Sequence, residues 1–265
     1  MRQPTFYLPH GGGPWPFVDL GFISAHDVTV MRDFFVALPS TLPAPPKALL
    51  VVSAHWEERV PTVMTSPNPP LLFDYYGFPK EAYALTWPAP GDPALASRVA
   101  GLLDEAGFDC ARDAQRGFDH GTFVPFKLSW PDADVPTIQL SLTAGLDPAE
   151  HLAIGRALAP LRDEGVLILG SGMSYHNLRS LGGGEAARIS GLFDDWLGDA
   201  VTAAPEVRTE RLTRWSSAPG ARGAHPREEH LLPLMVAAGA AGADLGTIVF
   251  RDDWMRVRVS AVRFG

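Results

Sequence analysis

Apolar and polar positions alternate between two kinds of pattern along this chain. Short continuous apolar runs, bounded by turn residues, occur at Thr5–Leu8, 47–56 (KALLVVSAHW), 135–142 (VPTIQLSL) and 166–172 (VLILGSG). Runs of this length without alternation suit strands buried on both faces of a parallel sheet. Between them, apolar residues recur at helical spacing. Residues 28–38 form one such stretch, and 93–106 another, with Leu95, Val99, Leu102 and Leu103 on one face. Residues 147–165 carry start and stop signals: Asp147 as N-cap, Pro148 at the first helical position and Gly165 after the end. Further helices are expected at 185–203 and 226–240, and closing strands at 247–250 (TIVF) and 256–264 (RVRVSAVRF). No internal repeat and no linker divides the chain; the proline-rich patch at 41–46 joins a helix to a strand. The pattern predicts one α/β domain over 1–265, with a central, mostly parallel or mixed sheet flanked by helices and an active site at the strand ends.

The eight histidines change the picture. His10 ends the first strand, His55 ends the second, and His176 lies just beyond the fourth in GSGMSYHNLR. Strand ends of an open α/β sheet converge on one crevice, so these three are expected to meet. His120 sits in GFDHGTFVP, read as a polar turn, and His225 and His230 fall in HPREEHLLPL at a helix start. Only His26 and His151 sit where a solvated helix face would explain them. Behind His10, Gly11–Gly13 let the backbone approach a neighbour without side-chain obstruction. Taken singly, each histidine reads as a hydrogen-bonded structural residue, and Trp15, Phe17, Trp56, Tyr76 and Trp87 as plain core. Taken jointly, histidines in Gly- or Ser-flanked stretches at the ends of different elements point to a metal or acid/base site.

Composition narrows the chemistry. With 265 residues, 46% hydrophobic and 20% charged, a sizeable core needs no disulfide. Cys110 is the single cysteine, so thiolate clusters and internal disulfides are excluded and a cytoplasmic location is expected. A net charge of −8 argues against nucleic acid or an anionic membrane as partner, and no apolar run is long enough to span a bilayer. Imidazoles without thiolates suit zinc, iron(II), copper or nickel. GSGMS is not a nucleophile elbow, the glycines do not match a nucleotide loop, and no Asp/Glu pair sits at converging strand ends.

In order along the chain, HGGGP, VVSAHW, GFPKEAYALTWPAPGDPALASRV, GFDHGTFVP, IQLSL, GSGMSYHNLR and HPREEHLLPL together resemble the class III extradiol ring-cleavage dioxygenases, in the branch of 4,5-DOPA dioxygenase-like proteins. The resemblance implies a non-haem iron(II) enzyme that opens a catechol ring beside its two hydroxyls using O2, with zinc found in the same site of some members. It implies His10, His55 and His230 as metal ligands, with neighbouring Glu229 as the carboxylate alternative to His230. His176 matches the acid/base histidine and a possible fourth ligand, and His120 a second histidine that contacts substrate or ligands. Trp15, Tyr175 and Arg179 are the expected substrate contacts, Arg179 by pairing with a substrate carboxylate. The start of the branch is usually H-G-S-P, and here it is H-G-G-G-P. Expected partners are a small aromatic diol and O2, without nucleic acid or membrane, in a monomer or small homo-oligomer. A zinc-dependent hydrolase using the same histidines and a binding module without a redox metal are the alternatives, separable by metal identity and O2 consumption.

Overall fold

The computed structural model describes all 265 residues. Its strands are β1 (Thr5–Pro9), β2 (Ala48–Glu58), β3 (Thr62–Met64), β4 (Ala111–Asp113), β5 (Thr137–Thr143), β6 (Val166–Gly172), β7 (Gly246–Trp254) and β8 (Val257–Phe264). They form one sheet in the order β4-β3-β5-β2-β6-β1-β8-β7. The inner four, β5, β2, β6 and β1, run parallel, and they are the four continuous apolar runs of the sequence. β8 is antiparallel to both β1 and β7, and β3 to β5, so the sheet is mixed. β7 alternates exposed and half-buried residues, as an edge strand with one solvated face should.

The helices are α1 (Ala25–Ala37), α2 (Pro93–Glu105), α3 (His120–Ser129), α4 (Pro148–Leu158), α5 (Pro160–Asp163), α6 (Gly184–Val201), α7 (Pro205–Thr213), α8 (Ala221–Ala224) and α9 (Leu232–Ala241). They cover both faces. Along β6, Gly170 and Gly172 abut the carbonyls of Pro233 and His230 where α9 begins, while Ser171 between them donates to the Gly121 carbonyl of α3. Successive strand residues face opposite sides, so α9 and α3 lie on opposite faces of the sheet. α9 is apolar all round and buried along its length, because α4 covers the side that the sheet does not. Gly155 of α4 and Gly239 of α9 permit that crossing: a Cβ at either would strike a carbonyl of the other helix.

The structure corrects several boundaries. The helix expected over 147–165 breaks at Ala159, because Pro160 has no N–H to continue the ladder. The helix expected at 226–240 begins only at Leu232, with Pro233 in its first turn; the residues before it form turns. His120 is not in a polar turn but is the buried first residue of α3. Tyr76 is not core, whereas Trp56 and Trp87 are. His151 is not on a solvated face. It is fully buried, its Nδ1–H donating to the Asp147 carbonyl and its Nε2 accepting from the Thr143 N–H.

His225 is buried too, donating from Nε2 to the Ser174 carbonyl, and burial first of all lowers its pKa to about 3. The unfolded imidazole titrates near ~6.5, so between these values the unfolded chain binds a proton the fold refuses. This stability is complete above the unfolded pKa and declines as pH falls, by about 1.4 kcal/mol per pH unit for one such group. We expect His225→Gln, which keeps a donor for Ser174, to lower stability at pH 7.5 yet flatten its decline between pH 6 and 4. Denaturant midpoints across that range test it, and parallel declines for both proteins would refute it.

Candidate active site

β2, β6 and β1 are adjacent and parallel, so their carboxyl ends open into one crevice. His10 follows β1, with its N–H on the Gly172 carbonyl at the end of β6. His55 lies in β2 past Ser53, where pairing with β6 stops. His176 follows β6, held by its N–H on the Ala224 carbonyl at 2.9 Å. His230 precedes α9, and its carbonyl takes the Tyr7 hydroxyl at 2.7 Å and the Met173 N–H at 3.1 Å. His120 enters from the head of α3. The structure thus brings all five sequence-predicted histidines together. Ring centroids are 4.8 Å apart for His10–His55 and His55–His230, 5.2 Å for His10–His230 and 4.0 Å for His55–His120, and His176 stacks on His230 at 3.3 Å.

The glycines behind His10 shape its approach. Gly11 has φ +76°, and a Cβ there would overlap the Trp15 indole. That indole is fully buried, donates to the His10 carbonyl at 2.8 Å and packs on Trp254. Trp15 therefore braces the loop from behind and does not line the cavity, contrary to the expected substrate contact.

Hydrogen bonding fixes which nitrogens face the cavity. The single proton of Ser171 goes to the Gly121 carbonyl, so its Oγ accepts from Nδ1–H of His10 at 3.0 Å. His230 donates from Nδ1 to Glu229 Oε1 at 3.0 Å. Both rings therefore carry their lone pair on Nε2. That of His10 faces Nε2 of His55 at 3.1 Å, while that of His230 is buried with no partner at all. The ligand atoms of His10, His55 and His230 lie within 4.8 Å of one another. An orphaned imidazole lone pair beside two others is what a divalent metal would satisfy, and neutral imidazoles are the right donors.

Burial keeps these rings uncharged. It lowers the pKa of His10 and His230 well below the ordinary value, with the neighbouring histidines adding to the effect, and brings His55 to about 3. Two carboxylates organise the set. Glu229 Oε1 accepts from both His230 and His176 Nδ1, the latter at 3.2 Å. Asp74 Oδ1 accepts from His120 Nδ1 at 2.8 Å, and its Oδ2 lies 3.6 Å from His55 Nδ1. Burial alone would raise the pKa of Asp74, but the hydrogen bond and charge of His120, joined by His55, outweigh it and hold the carboxyl at about 2. Glu229 thus orients both His230 and His176, while Asp74 orients His120 and lies near His55. Beneath them, buried Asp119 accepts from Ser53, Gln139 and Arg116, and Arg116 also donates to the His55 carbonyl, which ties β2 to α3.

The histidines floor a cavity of about 550 Å³ whose walls include Tyr75, Phe78, Met173, Tyr175 and Trp254. Tyr175 is on the wall, with its hydroxyl bonded to Ser180 at 2.7 Å. Arg179 sits exposed in the turn Leu178–Ser180 and does not line the cavity; Leu178 does. Sequence reasoning missed Asp74 and Ser171 as orienting groups. Asp74 is a lone acid in the apolar and aromatic run LLFDYYGF, which was the available signal.

A cluster of imidazoles that could hold a divalent metal, under an open, aromatic-walled cavity at the carboxyl edge of a parallel sheet, defines an α/β enzyme site. Comparison with known proteins makes the class specific. Residues 23–262 match the family described as the catalytic LigB subunit of aromatic ring-opening dioxygenase. The 4,5-DOPA dioxygenase extradiol of Portulaca grandiflora is 41% identical, covering 91% of this chain and 87% of that one. The protein of the same description from Escherichia coli K12 is 37% identical over 90% of this chain and 85% of its own. The crystal structure of an uncharacterized Escherichia coli K12 protein superposes with a TM-score of 0.81 at 31% identity, covering all of both chains. The chain belongs to the LigB family, and is an aromatic ring-opening dioxygenase of the extradiol type.

Proposed function

We propose that the enzyme opens a catechol ring with O2 at an iron(II) ion held by His10, His55 and His230. The observation that carries this is the convergence of three neutral imidazoles with the buried Nε2 of His230 unpartnered. The names of its relatives support a ring with two adjacent hydroxyls as the substrate class. A divalent metal there would supply Lewis acidity toward both oxygens and redox chemistry toward O2. The protein's own residues supply the rest. His176 gives its Nδ1–H to Glu229, which leaves Nε2 as a base for a catechol hydroxyl and as the group that returns the proton later. His120, its Nδ1 held by Asp74, presents the same nitrogen from the other side of the floor. Tyr75, Phe78 and Trp254 wall the ring and keep water from it. Zinc in the same ligand set is the alternative occupant.

The test is anaerobic reconstitution with iron(II) followed by O2 uptake. A catechol should consume O2 and yield a ring-opened product, while the matching monophenol, which cannot chelate through two adjacent oxygens, should give none. Equal turnover of the monophenol would remove the ring-cleavage reading.

A further inference from the structure

The cavity has two unlike ends. Its floor carries the five histidines and Asp74, whose oxygens are engaged by His120 and approached by His55. Its mouth carries no cation: neither lysine nor arginine is among the lining residues. Instead, large apolar side chains stand in solvent around it. Phe22 is 60% exposed, Tyr76 91% and Leu178 66%, and all three line the cavity. Met255 joins them from the tip of the β7–β8 hairpin. There, Met255 and Arg256 both adopt positive φ, at 50° and 66°, although neither is glycine. Residues with a Cβ rarely adopt such conformations. The Met255 N–H is fastened to Asp27 Oδ2 at 2.9 Å, so the tip is held where Met255 lines the cavity. The nearby arginines are not placed for an anion: Arg227 pairs with Glu57 and lies 3.5 Å from Glu229 Oε2. Arg179 is exposed outside the cavity, and Arg256 faces the adjoining surface groove beside Asp27, with its guanidinium on the Gly182 carbonyl.

Exposed apolar side chains clustered at one cavity mouth mark a surface that a ligand covers. A carboxylate seated there would lose water without gaining a cation, on a protein whose net charge is already −8. We propose that the substrate is a catechol whose ring substituent is uncharged and apolar, an alkyl or aryl group packed against Phe22, Tyr76, Leu178 and Met255, and not a carboxylate-bearing side chain such as that of DOPA. This rests on the ring-opening reading above and adds the identity of the substituent.

A matched pair separates the two. 4-Propylcatechol and 3-(3,4-dihydroxyphenyl)propanoate share a three-carbon substituent, which in the second ends in a charged carboxylate. Measured on the iron(II)-reconstituted enzyme beside DOPA, kcat/KM for the propyl compound should exceed that for plain catechol by roughly 10- to 60-fold, because each carbon taken from water contributes about fourfold. It should exceed that for the propanoate, whose carboxylate is desolvated without a cation, by roughly tenfold or more. Dissociation constants of the same compounds under anaerobic conditions, on iron-loaded and metal-free protein, should keep the same order. Leu178→Lys should narrow the propyl-to-propanoate ratio at least tenfold. Propanoate or DOPA matching or surpassing 4-propylcatechol, while catechol itself is turned over, overturns this inference and leaves ring opening standing. No O2 uptake with any catechol overturns the ring-opening reading and this inference with it.

Discussion

Alanine at His10, His55 or His230 is expected to empty the metal site, taking bound metal from one ion per chain to near none and turnover down by about 10³-fold or more. The expectation follows from how few donors converge. The Nε2 atoms of His10 and His230 have their lone pairs fixed toward the cavity by Ser171 and Glu229, and His55 completes the set. No protein atom pairs with His230 Nε2, so its lone pair is free for an ion. Removing a residue that only orients a ligand typically costs 10- to 100-fold in metal affinity, and removing a ligand costs more. Glu229→Gln and Asp74→Asn therefore form the internal scale: each should weaken metal binding within that smaller range. Metal content and affinity of all five variants, read alongside near-UV circular dichroism to confirm the fold, decide the matter. If the three alanine variants keep full occupancy, the ligand set is wrong. If His10→Ala fails to fold, His10→Gln, which retains a side-chain amide beside Ser171, carries the same test.

What the sequence disclosed and what it hid follow from the range of the forces involved. The parallel centre of the sheet was legible because strands buried on both faces must be apolar throughout, and β1, β5 and β6 are buried at every position. Carboxyl ends of parallel strands open on one crevice, so the meeting of His10, His55 and His176 was expected from their places at or just past strand ends. His120 was harder. Asp119 and Gly121 beside it look like turn residues, but Asp119 is a buried anchor for Ser53, Gln139 and Arg116, and Gly121 is small because α3 lies directly against Ser53, His10 and His55. Both choices are made by partners far away in sequence. Asp74 was hidden for the same reason: nothing local shows that it reaches His120, 46 residues on. His151 misled in the opposite direction. Helical position suggested a solvated face, but the Thr143 N–H at the end of β5 needed an acceptor, and the imidazole provides it. Trp15 and Arg179 show how little sequence nearness to a site says about which way a side chain is turned.

Replacing His176 by alanine should separate proton transfer from ligation. Its ring lies 17° from parallel with that of His230, at 3.3 Å, and both Nδ1 atoms give their hydrogens to the same Glu229 oxygen. Two stacked rings anchored at one oxygen direct their Nε2 lone pairs side by side. An ion about 2.0–2.1 Å from one imidazole nitrogen requires lone pairs that converge. Under the proposed reading His230 would hold the ion, and the stacked ring of His176 would keep its Nε2 free for a catechol hydroxyl. His176→Ala should therefore keep most of the metal and much of the anaerobic catechol affinity, since Glu229 still holds His230. Turnover should fall by about 10²–10⁴-fold, the range that a positioned acid/base group supplies. Metal content, anaerobic catechol binding and aerobic turnover, measured on His176→Ala beside His55→Ala, give the comparison. Near wild-type turnover in His176→Ala would eliminate its catalytic role. Metal loss as complete as in His55→Ala would show that the ring swings out of its stack to bind the ion, and would reassign His176 as a fourth ligand.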